Sequence, residues 1–198
     1  MSYIDEDHYI YVKNNSISEE VCDYLIQVFE NDASHLVYKG VTISGLSDSK
    51  ITLDLKLSTE INKYDSYIFE ELNSNINAYF QTLNAKYESF IIPLKNIRDT
   101  GYQMQKYISN IGVYQYHHDS HYAKHESTTQ TRILTFIWYL NTVDEGGETD
   151  FFNGRIKIKP EKGKLLFFPS TWTFMHKGNM PISGNKYIVT GWLYADIW

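Results

Sequence analysis

Residues 101–119 read GYQMQKYISNIGVYQYHHD, and this stretch decides the fold. A β-like run over 101–109 is broken at Gly112, and a second run over 112–119 ends in His117-His118-Asp119. Working outward, further β-like runs occupy 132–140, 148–152, 155–159, 164–168, 173–176 and 186–194. They are punctuated by Gly146-Gly147, Gly154, Gly163, Pro169 and Gly184. Short, closely spaced strands with such breaks indicate a sandwich or barrel. A jelly roll accounts for the strand count, and it brings residues far apart in sequence together in its mouth.

Upstream the texture is different. Residues 9–13 suit a short strand. Ser16 followed by Glu19 fits a capping box, and Val21, Leu25, Val28 and Phe29 then follow helical spacing. A longer helix is predicted from Thr59 to about Leu83, with Ile61, Tyr64, Ile68, Leu72, Ile76, Tyr79 and Leu83 as its inner stripe. Residues 31–58 are polar, Gly/Ser-rich in places, and read as irregular.

The length of 198 residues suits a single domain. Lys and Arg total 18 against 24 Asp and Glu, a formal charge of −6; that balance argues against nucleic-acid binding, which needs a basic face. The acidic N-terminus lacks the basic start and apolar run of a signal peptide. No stretch reaches the roughly 18 apolar residues of a membrane span. One cysteine, Cys22, excludes an internal disulfide and cysteine-based zinc sites. The expectation is a cytoplasmic-type protein without a membrane partner. Aromatics make up 16%, including 17 Tyr. They suit pleated surfaces, and they could also line a pocket with hydroxyl-bearing rings.

The seven histidines are His8, His35, His117, His118, His121, His125 and His176. On a strand, residues two apart project to one face, so His117 and Asp119 point together and His118 away. A third ligand, His176, lies 176 − 117 = 59 residues downstream, after the apolar run Lys164–Phe168 and Pro169. Two imidazoles and one carboxylate leave three positions open on a metal, the facial triad of non-haem Fe(II) oxygenases. Lys186 opens the last strand ten residues on, and could pair with the far carboxylate of an oxo-acid cosubstrate. His121 is also two residues from Asp119, so His121, Asp119 and His176 form a rival triad.

The ordered set over 101–194 resembles the 2-oxoglutarate- and Fe(II)-dependent dioxygenases, in their prolyl 4-hydroxylase-like branch. The motifs are Tyr107…Tyr114-x-x-His117-x-Asp119, the strand Arg132 to Asn141 ending in Tyr-Leu-Asn, Gly146-Gly147-Glu148-Thr149-x-Phe151, Gly163-x-x-Leu166-x-Phe168, and the closing His176…Lys186…Trp192. The resemblance implies an α+β, mainly β fold: a double-stranded β-helix (jelly roll) with N-terminal supporting helices. It implies one domain over residues 1–198, with helical support over about 15–85 and a catalytic roll over about 100–195.

By the same resemblance His117, Asp119 and His176 would bind iron as the catalytic centre. Lys186 would pair with the C5 carboxylate of 2-oxoglutarate, with Tyr107, Tyr139 and Thr190 also holding this cosubstrate. Tyr114, Arg132 and Trp192 match positions that surround a target prolyl residue, and the polar stretch Ser120–Thr131 would close over it. The implied reaction uses Fe(II), 2-oxoglutarate and O2, with ascorbate as reductant. It releases succinate and CO2 and hydroxylates an unactivated C–H bond of a proline-containing peptide or protein. Two other readings stay open: the same chemistry on a free amino acid or other small molecule, and a jelly-roll binding module without catalysis.

Overall fold

A computed structural model describes residues 2–5, 9–42, 45–87, 95–124 and 129–197. Two segments lead in, β1 (Ser2–Asp5) and β2 (Ile10–Lys13), followed by α1 (Glu19–Gln27). Then come β3 (Tyr38–Lys39), β4 (Lys50–Ile51), β5 (Leu53–Leu57), α2 (Asp65–Lys86) and β6 (Lys95–Asp99). The roll itself is β7 (Tyr102–Tyr107), β8 (Val113–His117), β9 (Tyr122–Lys124), β10 (Thr129–Tyr139), β11 (Thr149–Phe151), β12 (Ile156–Ile158), β13 (Leu165–Pro169), β14 (His176–Gly178) and β15 (Lys186–Ile197).

Two sheets face one another. The larger runs β1-β2-β13-β10-β15-β7-β5-β3, with β6 on β15 and β9 on β10; the smaller runs β12-β11-β14-β8-β4. From β7 onward the chain passes between sheets at nearly every connection, the β11–β12 and β9–β10 hairpins excepted. That winding is the double-stranded β-helix.

Alternation along the strands of the large sheet sorts residues onto its two faces. Phe136, Trp138, Leu165, Phe167, Met104, Val189 and Leu193 face outward and join Leu25, Phe29, Ile68, Leu72 and Tyr79 in one core. Ile137, Tyr139, Leu166, Phe168, Tyr107 and Ile188 face inward and meet Phe151 and Ile158 of the small sheet in a second core. The helices therefore back the large sheet and leave the interior of the roll to the site. Burying each such Leu or Phe stabilises the fold by about 1.5–3 kcal/mol.

The helices differ from expectation in their ends. Ser18, not Ser16, caps α1, accepting from the Val21 amide at 3.3 Å. Ser16 is drawn into the core, where its hydroxyl accepts from Trp138 Nε1 at 3.2 Å and Asn75 Nδ2 at 3.4 Å. α2 starts six residues later than predicted and runs to Lys86, but Ile68, Leu72, Ile76, Tyr79 and Leu83 are its buried stripe as expected.

Residues 31–58 are not irregular throughout. Leu53–Leu57 add β5 to the edge of β7, with Leu55 opposite Met104. The run LDLKL is too short to stand out, and Asp54 interrupts it with a buried charge held by Lys50 at 2.6 Å and Thr52 at 2.7 Å. Within the polar stretch Ser120–Thr131, Tyr122–Lys124 pair with Thr129–Thr131. His8, His125 and Trp198 lie outside the described residues. No helix among the described residues is long and apolar enough to cross a membrane.

Candidate metal and cosubstrate site

His117 ends β8 and His176 opens β14, and the two are directly paired across the small sheet. Their rings lie 4.2 Å apart between centroids. Asp119 lies beyond the strand, which stops at His117 rather than continuing to 119. The carboxylate nevertheless returns to the same point, because Thr135 on β10 donates to Asp119 Oδ2 at 2.7 Å. Ser170 Oγ stands 2.9 Å behind that threonine hydroxyl. His117, Asp119 and His176 each offer a ligand atom, all within 4.8 Å of one another.

The protonation pattern follows from the hydrogen bonds. His117 Nδ1 is 2.7 Å from the Gln115 carbonyl, and His176 Nδ1 is 3.0 Å from the Phe174 carbonyl. A carbonyl only accepts, so each Nδ1 carries the proton and each Nε2 is left as a lone pair. Those Nε2 atoms stand 3.8 and 3.6 Å from the Asp119 oxygens, too far to be hydrogen bonds. Burial, and then the neighbouring His176, push the His117 pKa down to about 3. Burial opposes ionisation of Asp119, but the two imidazoles and Thr135 outweigh it and hold its carboxyl below the usual range. Three acceptors, those of Asp119 and His176 buried and that of His117 half-buried, thus face one space with no proton between them. Such a set suits a cation, and the Thr135 hydroxyl and the Gln115 and Phe174 carbonyls orient its three members.

Lys186 enters the same cavity from β15. It is 1% exposed. Its ammonium donates to the Gly147 carbonyl at 2.9 Å and lies 3.9 Å over the Tyr107 ring. No carboxylate among the described residues comes within ion-pair distance, and burial lowers its pKa to about 7 against the weaker pull of Glu148. Gly147 reaches this lysine from a turn in which Gly146 and Gly147 both have φ of 75°, a backbone that favours glycine. A buried cation without an anion is expensive, so the site is built for one.

Tyr107, Tyr114, Thr190 and Trp192 line this cavity with the triad and Lys186. The Tyr107 hydroxyl donates to Gln105 Oε1 at 3.1 Å, and burial raises its pKa well above 10. Tyr114 stacks on His117 at 3.5 Å, and burial pushes its pKa up to about 12. Thr190 spends its hydroxyl proton on the Phe136 carbonyl. Tyr139 stands one step back, its hydroxyl 2.6 Å from Thr149 Oγ1, and Thr149 is the residue that faces the cavity. Arg132 sits at the rim with its guanidinium 3.8 Å over the Trp192 ring. Trp192 Nε1 is buried, and its N–H helps hold the Asp119 carboxyl low.

The rival ligand His121 turns away, with Nδ1 2.6 Å from the Tyr194 hydroxyl. Gln105, Thr135, Ser170 and Thr149 were not found by sequence reasoning. Thr149 stands in the Gly146–Phe151 motif, where no role was given to it; Gln105 stands two before Tyr107, and Thr135 shares a face with Ile137 and Tyr139.

Residues 102–194 match the 2OG-Fe(II) oxygenase superfamily. Prolyl 4-hydroxylase 13 of Arabidopsis thaliana is 31% identical over 103 residues, covering 40% of this chain and 38% of that protein. Probable prolyl 4-hydroxylase 3 of the same plant is 27% identical over 93% of this chain and 69% of its own length. The chain therefore spans under two fifths of the first of these relatives. Among solved structures, the viral collagen prolyl hydroxylase of Paramecium Bursaria Chlorella virus-1 in its 2OG complex superposes with a TM-score of 0.65 at 21% identity, covering 94% of this chain and 96% of that one. A Trichoplax adhaerens prolyl hydroxylase in complex with a hypoxia inducible factor peptide fragment also gives 0.65, at 18% identity, covering 94% and 83%. Those two structural likenesses speak for the fold, while the matched stretch 102–194 carries both histidines, Asp119 and Lys186. Over residues 102–194 the chain is thus similar to the 2OG-Fe(II) oxygenase superfamily and, in part of its length, to plant prolyl 4-hydroxylases.

Proposed function

We propose that this chain is an Fe(II)- and 2-oxoglutarate-dependent dioxygenase that hydroxylates a prolyl residue in a peptide or protein. The observation that carries the reading is one cavity in which His117 Nε2, Asp119 and His176 Nε2 converge beside the buried Lys186, which has no carboxylate partner among the described residues. We read residues 1–198 as one domain, its helices supporting the catalytic roll.

His117 Nε2, Asp119 and His176 Nε2 would hold the iron. When bound, the iron and its cosubstrate supply the oxidising equivalent for C–H hydroxylation, with O2 consumed and succinate and CO2 released. The protein's own work is placement. Thr135 and the Gln115 and Phe174 carbonyls fix the ligands' rotamers and tautomers. Lys186 would take the distal carboxylate of 2-oxoglutarate, with Tyr107, Thr190 and Thr149 completing that end and Tyr139 supporting Thr149. Ile137 and Ile188 also line the cavity and would cover the cosubstrate's carbon chain. Tyr114, Arg132 and Trp192 would form the wall against which the target ring rests. Ascorbate would serve as reductant after uncoupled turnover.

The relatives' names support a prolyl target, and the peptide complexed with the Trichoplax enzyme supports a polypeptide one. The test is turnover with proline-containing peptides, read by mass spectrometry. A gain of one oxygen on proline, with stoichiometric succinate, is expected. Oxygen on a free amino acid, with none on peptides, would replace the peptide reading. No consumption of 2-oxoglutarate by the metal-loaded protein would leave a binding module.

A further inference from the structure

The sequence alternation of β10 places Arg132 on the helix side of the large sheet, together with Leu134, Phe136 and Trp138. The structure puts it on the opposite side. Arg132 pairs with Tyr194 and Leu134 with Leu193, so one extra residue, Ile133, is inserted in β10. A bulge of this kind reverses the facing of what precedes it. It turns Arg132 inward over Trp192, with Nη1 3.4 Å from the Asp119 carbonyl.

Among the described residues Arg132 has no carboxylate partner there. Its guanidinium is held instead by neutral groups. Tyr194 Oη, directly across the strand pair, accepts from Arg132 Nε at 3.1 Å. The same oxygen lies 2.6 Å from His121 Nδ1 and is free to donate its own proton there. His121 is fixed in turn by its carbonyl, which accepts from the Arg132 amide at 3.0 Å and lies 3.4 Å from Thr131 Oγ1. The chain His121–Tyr194–Arg132–Trp192 is therefore closed on itself, and it ends at the mouth of the metal cavity.

We propose that Tyr194 and His121 are positioning residues that lock the Arg132 guanidinium flat on Trp192, so that its outer N–H groups are preset to bind a backbone carbonyl of the target polypeptide. The proposal rests on the peptide-hydroxylase reading above. The acceptor is neutral by this logic. A carboxylate is ordinarily met by two parallel N–H groups of an arginine, whereas here Nε is given to Tyr194 and Nη1 faces the Asp119 carbonyl, so neither bidentate edge of the guanidinium is wholly free. Prelocking such a side chain removes an ordering cost of about 0.5–1.5 kcal/mol otherwise met at each binding event. Arg132 would touch the substrate; Tyr194 and His121 act through it.

The test compares Tyr194→Phe, which keeps the ring and deletes one oxygen, with His121→Ala and His121→Gln. The probe is the peptide that the parent hydroxylates fastest from a randomised X-X-Pro-X-X pool, labelled with fluorescein. Its affinity is read by anisotropy on Mn(II)-loaded protein without oxygen. Tyr194→Phe and His121→Ala should each weaken the peptide about tenfold, His121→Gln should recover most of the loss, and the 2-oxoglutarate Kd should stay within twofold. Tyr194→Phe combined with His121→Ala should weaken it no further than either alone, because the two act as one chain. Equal peptide affinity in parent and Tyr194→Phe overturns the lock while leaving the hydroxylase reading intact. Loss of 2-oxoglutarate affinity in step with peptide affinity also overturns it, since that marks general damage. If the parent hydroxylates no member of the pool, the hydroxylase reading itself fails and the lock with it.

Discussion

Lys186→Met should make the unliganded protein more stable and 2-oxoglutarate binding far weaker. The lysine's pKa falls from 10.5 to about 7 in the fold because burial disfavours its charge. At 1.36 kcal/mol per unit, that depression of 10.5 − 7 = 3.5 corresponds to about 5 kcal/mol. The sign follows from proton counts. Between pH 7 and 10.5 the unfolded chain holds this proton and the folded chain does not, so stability rises with pH across that window. Below pH 7 the destabilisation is fully present. Methionine preserves most of the side-chain volume without the charge, so its Tm advantage should be largest at or below pH 7 and fade toward pH 10.5. The cost disappears in the parent once an anion arrives. Removing one partner of a buried ion pair costs about 3–5 kcal/mol, so Lys186→Met should weaken 2-oxoglutarate by at least about a hundredfold.

The same pKa gives a second reading of the binding step. At pH 8 a group with pKa near 7 is about 10% protonated, and pairing with a carboxylate restores its charge. Binding of 2-oxoglutarate to Mn(II)-loaded protein should therefore take up close to one proton at pH 8 and fewer at pH 6. Calorimetry in two buffers of different ionisation enthalpy measures this directly. No proton uptake at pH 8, or a Lys186→Met variant that binds 2-oxoglutarate within threefold of the parent, would refute the assignment of Lys186 as the anchor.

Other outcomes follow from the same geometry. His176→Ala deletes one of three converging acceptors and the cross-strand partner of His117; it should abolish turnover and lower Mn(II) affinity by at least tenfold, as read by electron paramagnetic resonance titration. Asp54→Asn leaves Lys50 buried without its counter-ion at 2.6 Å, and should destabilise the fold by about 3–5 kcal/mol in urea. Leu72→Ala hollows the contact between α2 and the large sheet; it should cost about 2–5 kcal/mol and leave the 2-oxoglutarate Kd of the folded protein unchanged.

The roll was legible in the sequence wherever alternation ran long enough to be seen. Lys186, Ile188, Thr190 and Trp192 share the inner face because they are two apart, and His117 meets His176 because β8 pairs with β14. The first helix was also legible, but its cap was not, since Ser16 and Ser18 are equally good caps until Trp138 and Asn75 claim one of them. Three features escaped for a common reason: each depends on a partner remote in sequence. β5 is a five-residue run that becomes a strand only by pairing with β7. Asp119 was placed on a strand that stops two residues short, and Thr135 holds its carboxylate beside His117 and His176. Arg132 was assigned to the substrate wall by resemblance alone, whereas its alternation points the other way and only the bulge at Ile133 reconciles the two. The tyrosine excess divides along the same lines. Tyr11 and Tyr79 pack in the helix-backed core, while Tyr107 and Tyr114 stand in the cavity.

The most direct test of the account is an anaerobic titration of the metal-free protein with Fe(II) and 2-oxoglutarate, followed in the visible range. The account requires a weak charge-transfer band that appears only when both are present, saturates at one equivalent of each, and is lost in His176→Ala. A parent protein that retains no iron and develops no band would contradict it.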